Sequence, residues 1–421
     1  MIPGKFYVIG AGVAGLSAAV ALASRGADVD VMEAAPQAGG RCRSWFDAQF
    51  HGVIDNGNHL VLTGNDATFS YLHTIGAADR LSGPDAARFA FCDLQSDRRW
   101  AVSFGRGRLP LWIFAPSRRV PDTRISEYLR FAPLFRANRG RAVKDVVRCE
   151  GPVWQKLLKP FLLAALNMDP ELADAELASA VLSETIGRGG RASLPRIATP
   201  HLAAAFIEPA VAFLRLRRAP VRIGERLRAI ERGNAVAASL VFGDNRIILS
   251  KNDRVILAVP AGVAAELVPG VSAPDESSAI VNAHFRANAP AGSAPMMGLL
   301  GGTAEWVFAF SDRISVTVSG ADAIVDRDRE DLARTLWRDV AAAHRLSPRL
   351  PPWQVVKEKR ATFRATPDQA AKRAGTRTPL KNVFLAGDWT ATGLPATIEG
   401  AVRSGQKAAE LAVVSLQNER R

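Results

Sequence analysis

The most regular pattern of apolar and polar positions lies at the start of the chain. Phe6 to Ile9 is an unbroken aromatic and β-branched run, the mark of a parallel strand buried on both faces. An Ala- and Leu-rich stretch predicts a helix over Val13 to Ser24, and Ala27 to Met32 reads as a second strand ended by Glu33. Val53-Ile54 and Leu60 to Leu62 are short apolar runs on either side of a polar knot, Asp55-Asn56-Gly57-Asn58-His59. Phe69, Leu72 and Ile75 share a helical face within Thr68 to Leu81, and Arg88 to Phe104 reads as two strands turning at Ser96-Asp97. Ile125 to Val147 predicts helical segments, Gly151 to Leu166 is strongly apolar with a kink or division at Pro160, and Glu176 to Thr185 resumes a helix after a break at Asn167 to Pro170. Strands follow at Ala219 to Glu231, Val236 to Val241, Ile247 to Leu249 and Arg254 to Pro260, then at Ala283 to Arg286, Ala304 to Phe310 and Ser315 to Ser319. An amphipathic helix over Asp331 to Arg345, a strand over Gln354 to Ala361, a buried strand over Val383 to Ala386 and a helix from Thr397 or Ile398 complete the pattern.

Gly10, Gly12 and Gly15 stand between the first strand and its helix at G-x-G-x-x-G spacing. Gly10 suits a tight turn, Gly12 lets backbone amides approach a pyrophosphate, and Gly15 lets the helix lie close to the sheet. Unpaired N–H groups and a partial positive charge at the helix N-terminus favour a diphosphate there. Glu33, about 20 residues beyond, can accept both hydroxyls of an adenosine ribose and repels a 2′-phosphate. FAD or NAD fits; NADP is disfavoured. Small residues also pack helices on strands for structural reasons alone, but strand, helix and acid in this order favour a dinucleotide.

Gly39, Gly40 and Arg41, in AGGRCRS, resemble the GG-R-x-x-S/T signature of the flavin amine oxidase and carotenoid desaturase superfamily, which NAD domains lack. The resemblance places this loop beside the flavin, with Arg41 near the pyrophosphate and the isoalloxazine edge. A long, doubly anionic dinucleotide needs such a second basic contact. NVFLAGDWTATGLPATIEGAVRSG, Asn382 to Gly405, carries the same likeness at the other end. There Gly387 is expected to let the backbone approach the cofactor, Asp388 to receive a ribityl hydroxyl, and the amides at Thr397 and Ile398 to face the flavin pyrimidine. The superfamily's main-chain contact under the adenine matches Leu227.

Composition narrows the partners. With 421 residues and 48% hydrophobic content, the chain is globular and long enough for two or three domains. The net charge of +13 comes from scattered arginines without a basic block or a nucleic-acid module, so no nucleic-acid partner is expected. Such a balance reflects a solvated surface or a face for anionic lipid. LPLWIFAP, Leu109 to Pro116, followed by Arg118 and Arg119, admits two readings: a buried strand, or an interfacial loop that dips into a membrane. Cys42, Cys92 and Cys149 are odd in number and lack C-x-x-C spacing, which favours a reducing compartment and argues against disulfides or metal. Cys42 lies between two arginines and admits a depressed pKa; a small inert residue is the simpler reading. No export signal and no apolar span of about 18 residues is present, so the expected location is cytoplasmic, peripheral on the inner face of the membrane.

The polar knot needs partners if buried, and an isoalloxazine would supply them, which places Gly57 among the cofactor contacts. His59 titrates near neutrality and is the best single candidate for proton transfer; a satisfied structural histidine is the competing reading. GGRCRSWFD with IDNGNHLVLTGN, LLAALN with Glu208 to Ala210, and GDWTATGLPATIEGAVRSG together resemble the squalene-associated FAD-dependent desaturase-like family, the hydroxysqualene dehydroxylases of bacterial hopanoid biosynthesis. The expected fold is α/β, a Rossmann-like FAD-binding domain in pieces at 1–85, 206–272 and 376–421. These are interleaved with a helical substrate- or membrane-facing block at 86–205 and a substrate sheet at 273–375. The resemblance implies FAD, a hydrophobic polyene substrate, reductive removal of an allylic hydroxyl, and an electron donor that the sequence does not identify. His59 would protonate the departing oxygen, with Asp55 and Asn58 orienting it. A carotenoid-type desaturase, an amine oxidase with an aromatic cage built on Trp389, and a non-catalytic flavoprotein are the alternatives.

Overall fold

In the computed structural model, which describes residues 2–418, a five-stranded parallel sheet stands at the centre. Its middle strand is β1 (Lys5–Ile9), between β2 (Asp28–Glu33) and Arg254–Leu257, with Val221–Ile223 and Val383–Leu385 at the edges. Phe6 and Val8 enter the core on one face, Tyr7 and Ile9 the core on the other, which is why the run is apolar without alternation. α1 (Val13–Ala23) and the helix Ile398–Asn418 cover the first face together. They touch backbone to backbone, since a Cβ at Gly405 would stand 2.1 Å from Ala14 O.

Parallel neighbours require long crossovers, and here the crossovers carry the rest of the molecule. One of them contributes most of a seven-stranded sheet, in the order Trp353–Phe363, Ser277–Phe285, Ile314–Val318, Trp306–Ala309, Met296–Leu300, Arg88–Asp93 and Arg98–Ser103. Alternation divides its faces. Val281, Ala283, Val307, Val316 and Val318 pack on Leu332, Leu336 and Trp337 of the amphipathic helix Arg329–His344. Asn282, His284, Ser315 and Thr317 take the opposite face, where Asn282 Nδ2 donates to Asn56 O at 3.1 Å and so meets the polar knot.

Several expectations change. The Arg88–Asp93 and Arg98–Ser103 hairpin, assigned to the helical block, pairs with Met296–Leu300 and extends the seven-stranded sheet. Leu109 to Pro116 is not a strand. Leu111–Phe114 forms a single 3₁₀ turn that buries Trp112 and Ile113 and leaves Leu109, Leu111 and Phe114 exposed. Ile125 to Val147 holds one short helix, Ile125–Leu129, and isolated turns. The apolar segment after Gly151 divides where Pro160 predicts, with a π turn at Trp154–Leu158 before the helix Lys159–Leu166. Ala219 to Glu231 splits in two: Val221–Ile223 joins the parallel sheet, and Ala229–Arg232 starts a separate antiparallel sheet with Ala237–Phe242 and Asn245–Ile248. Among the described residues no helix is long and apolar enough to cross a membrane.

Candidate functional site

The two N-terminal glycine loops touch one another. Gly39 N donates to Ala11 O at 2.8 Å, and a Cβ at Gly40 would stand 3.4 Å from Gly12 Cα. At Gly15 a Cβ would collide with Gly10 O at 1.9 Å, so only glycine lets α1 begin so close to the turn. At Gly12 it would meet nothing within 4 Å. That open space lies before the first amides of α1, which have no intrahelical acceptor, and it fits a pyrophosphate. Glu33 is fixed at the end of β2, where Oε2 accepts from Ala11 N at 2.7 Å and Oε1 from Ala35 N at 2.8 Å, each oxygen keeping a lone pair for a ribose hydroxyl. Glu225 N donates to Glu33 O at 2.8 Å, which draws the loop carrying Leu227 alongside.

Arg41 ties the N-terminal motif to the C-terminal one. Its Nη2 donates to Asp388 Oδ1 at 2.7 Å, and its Nη1 donates to Ala361 O. Asp388 is buried, and Arg373 holds the same loop by donating to the carbonyls of Asp388 and Trp389, both at 3.1 Å. At Gly387 a Cβ would stand 2.6 Å from Trp389 Nε1, so the glycine makes room for the indole. Trp389 itself is core, with Nε1 donating to Val259 O at 2.9 Å, which removes it as an aromatic cage wall. Thr397 Oγ1 accepts from Gly400 N at 3.1 Å, and the helix begins at Ile398 with its first amides free of intrahelical partners.

The polar knot is held by partners that the linear pattern hides. Asp55 is buried; its Oδ1 accepts from Ser44 Oγ at 2.6 Å and Leu202 N at 2.9 Å, and its Oδ2 from Arg313 Nη2 at 3.1 Å. Its carbonyl meets His284 Nε2 at 2.9 Å. Asn58 Nδ2 donates to Thr317 Oγ1 at 3.1 Å. Neither side chain is engaged with His59, so the expectation that Asp55 and Asn58 orient that ring is corrected: Asn58 ties the knot to Thr317 of the seven-stranded sheet and Asp55 to Arg313 beside it. Gly57 likewise lies against that sheet, with Asn282 Nδ2 3.0 Å from where a Cβ would be. Asn56 Oδ1 and Asn58 Oδ1 are buried without any protein hydrogen-bond partner among the described residues, as a ligand with N–H groups would require.

Burial first, and then the Arg41 charge, push His59 down to about 4, while the Arg41 backbone and Asp388 pull weakly the other way. The ring is therefore neutral at pH 7 and holds no imidazolium proton to give. Burial pushes the Cys42 thiol up to about 12 despite Arg41, which corrects the idea of an activated thiolate. Arg313, His284 and Arg373 escaped the sequence reading. For the first two the only signal is a polar residue inside or beside an apolar strand run; for Arg373 there is none.

A pyrophosphate space, a ribose carboxylate and a second basic loop around one parallel sheet define a dinucleotide-dependent oxidoreductase. Residues 13–413 match the flavin containing amine oxidoreductase family. Hydroxysqualene dehydroxylase from Sinorhizobium fredii is 50% identical over 98% of this chain and 99% of its own length, and its namesake from Zymomonas mobilis is 44% identical over 97% and 98%. Among solved structures, cyclohexylamine oxidase from Brevibacterium oxydans shares the fold, with a TM-score of 0.71 at 16% identity over 99% of this chain and 100% of its own. The chain belongs to the flavin-containing amine oxidoreductase family and, within it, to the group that includes these hydroxysqualene dehydroxylases. Its cofactor is FAD.

Proposed function

We propose that the protein removes the allylic hydroxyl of hydroxysqualene, a linear triterpene, to give squalene and water. The identity of 50% to a hydroxysqualene dehydroxylase across nearly both full lengths carries this reading. In it, FAD is held by Gly10, Gly12, Gly15, Glu33, Gly39, Gly40, Arg41, the main chain at Leu227, Asp388 and the helix start at Thr397 and Ile398. Bound flavin supplies the hydride. The Asn56 and Asn58 carbonyl oxygens accept from its ring, and neutral His59 positions the substrate hydroxyl through an N–H bond. Segments 1–85, 206–272 and 376–421 make the cofactor domain; 86–205 and 273–375 shelter the polyene. Anaerobic mixing of reduced enzyme with hydroxysqualene tests this, with squalene assayed by mass. Appearance of squalene is expected; no product from fully reduced, FAD-loaded protein rejects the function, and oxidation of a polyene by the oxidised form would point to a desaturase.

Delivery of so apolar a substrate favours a bilayer. Leu109, Leu111 and Phe114 are 70%, 65% and 62% exposed, and Arg106, Arg108 and Arg118 share with the two leucines a surface pocket of about 440 Å³. We propose that this face docks on anionic membrane, with the arginines at headgroups and the apolar tips below them. Flotation with anionic vesicles should carry the wild type, and Leu111→Asp with Phe114→Asp should abolish it; equal flotation of both refutes the assignment.

A further inference from the structure

Two loops far apart in the chain are pressed together at their glycines. Gly190 N donates to Gly105 O at 2.7 Å, and a Cβ at Gly190 would stand 2.4 Å from that oxygen. At Gly189, where φ is +83°, a Cβ would stand 2.2 Å from Gly107 O. Glycine at both positions lets the loop that follows Arg98–Ser103 lie directly on the loop at 186–193. The second loop is fixed from behind. Ser193 Oγ shares its hydrogen between Thr185 O at 2.9 Å and Gly189 O at 3.1 Å. Thr63 Oγ1 donates to Arg191 O at 2.6 Å and Gly64 N to Ala192 O at 2.7 Å.

This packing gathers positive charge. Arg106 and Arg108 flank Gly107, Arg188 and Arg191 flank the opposing glycines, and all four line one open pocket of about 440 Å³. Arg188 is held in place, with Nη1 donating to Gly64 O at 2.6 Å and Nη2 to Asp66 Oδ2 at 2.9 Å. Among the described residues the side chains of Arg106, Arg108 and Arg191 have no hydrogen bond or ion pair, so Asp66 is the one carboxylate bonded to the group. Like charges repel, yet the glycine contacts keep these loops closed. Two guanidinium forks on each side suit an anion with two separate phosphates, because each phosphate takes a fork in bidentate fashion.

The position of the pocket selects the source of those phosphates. It shares Arg106, Gly107 and Arg108 with the pocket that contains Leu109 and Leu111, so the charges border the exposed apolar tips. Phosphate at the level of the arginines and hydrocarbon below it is the order in which a bilayer presents them. We propose that the loops at 105–108 and 188–191 form a headgroup site for a bilayer lipid with two phosphates, of the diphosphatidylglycerol kind. The proposal rests on the membrane docking proposed above and goes further, since attraction to general negative charge would not distinguish lipids of equal charge.

Flotation titrations of the FAD-loaded protein test it, with vesicles of diphosphatidylglycerol and of phosphatidylglycerol matched in total headgroup charge. The wild type should bind the first at least about tenfold more tightly, and Arg106→Gln with Arg108→Gln and Arg191→Gln should bind the two alike, with FAD content showing that the variant is folded. A wild type that binds both alike, or a triple variant that keeps the preference, overturns the headgroup site and leaves the docking face standing. A wild type that floats with neither overturns both. Calorimetry with inorganic pyrophosphate separates a soluble source of phosphate: much weaker binding than to diphosphatidylglycerol vesicles is expected, and binding as tight overturns the lipid assignment.

Discussion

Arg313→Met tests how the polar knot is held. Arg313 and Asp55 side chains are each 3% exposed, with Nη2 and Oδ2 3.1 Å apart. Arg313 also reaches Pro200 O at 3.3 Å and lies 4.0 Å from the centre of the Phe310 ring, so its place is fixed on several sides. The substitution strands a buried carboxylate with only the neutral donors Ser44 and Leu202. Breaking one side of a buried pair costs about 3–5 kcal/mol. For 421 residues at roughly 2.1 cal/mol/K each, the unfolding entropy is about 0.9 kcal/mol/K, so the melting temperature should drop by about 3–6 °C. Adding Asp55→Asn removes the stranded charge and should recover much of that loss, because the double variant no longer buries an unpaired ion. Calorimetry of wild type, both single variants and the double gives the coupling directly. An unchanged melting temperature in Arg313→Met, or a double variant no better than the worse single one, refutes the argument.

Further outcomes follow from the same geometry. Gly12→Ala meets no protein atom, so the apoprotein should melt as wild type while its FAD affinity, measured by titration calorimetry, falls at least about tenfold, or about 1.4 kcal/mol. Burial and then Arg313 push His284 down to about 3, so between pH 6.5 and 3 the unfolded chain takes up a proton that the native one refuses. Stability should fall as pH drops through that window, by about 1.4 kcal/mol per pH unit for this residue, and denaturant titrations of His284→Gln should show a correspondingly shallower slope. Cys42, buried and raised to about 12, should resist alkylation in the native state, whereas Cys149, partly exposed and raised to about 11, should label first in peptide mass analysis.

The cofactor clamp was legible because its signals are local. Three glycines, a strand and an acid interact within 33 residues, and Glu33 does close on Ala11. The surroundings of the polar knot were not, because their contacts join residues far apart in the chain. Asp55 meets Arg313 across 258 positions, and Asn58 meets Thr317 across 259. A polar knot shows that partners must exist without saying which. The 109–116 stretch failed as a strand for another reason, since prolines at 110 and 116 deny it a ladder and leave a single turn.

The central sheet is assembled from pieces made at very different times. Ser17 of α1 donates to Val402 O from 385 residues earlier in the chain. At roughly 5–20 residues per second, about 20–80 s separate the synthesis of these two partners. Throughout that interval α1 lacks the helix Ile398–Asn418 that lies along it, and the strand pairing of Val255 with Val383 is incomplete. That face of the sheet is therefore fully covered only after residues near 400 have left the ribosome.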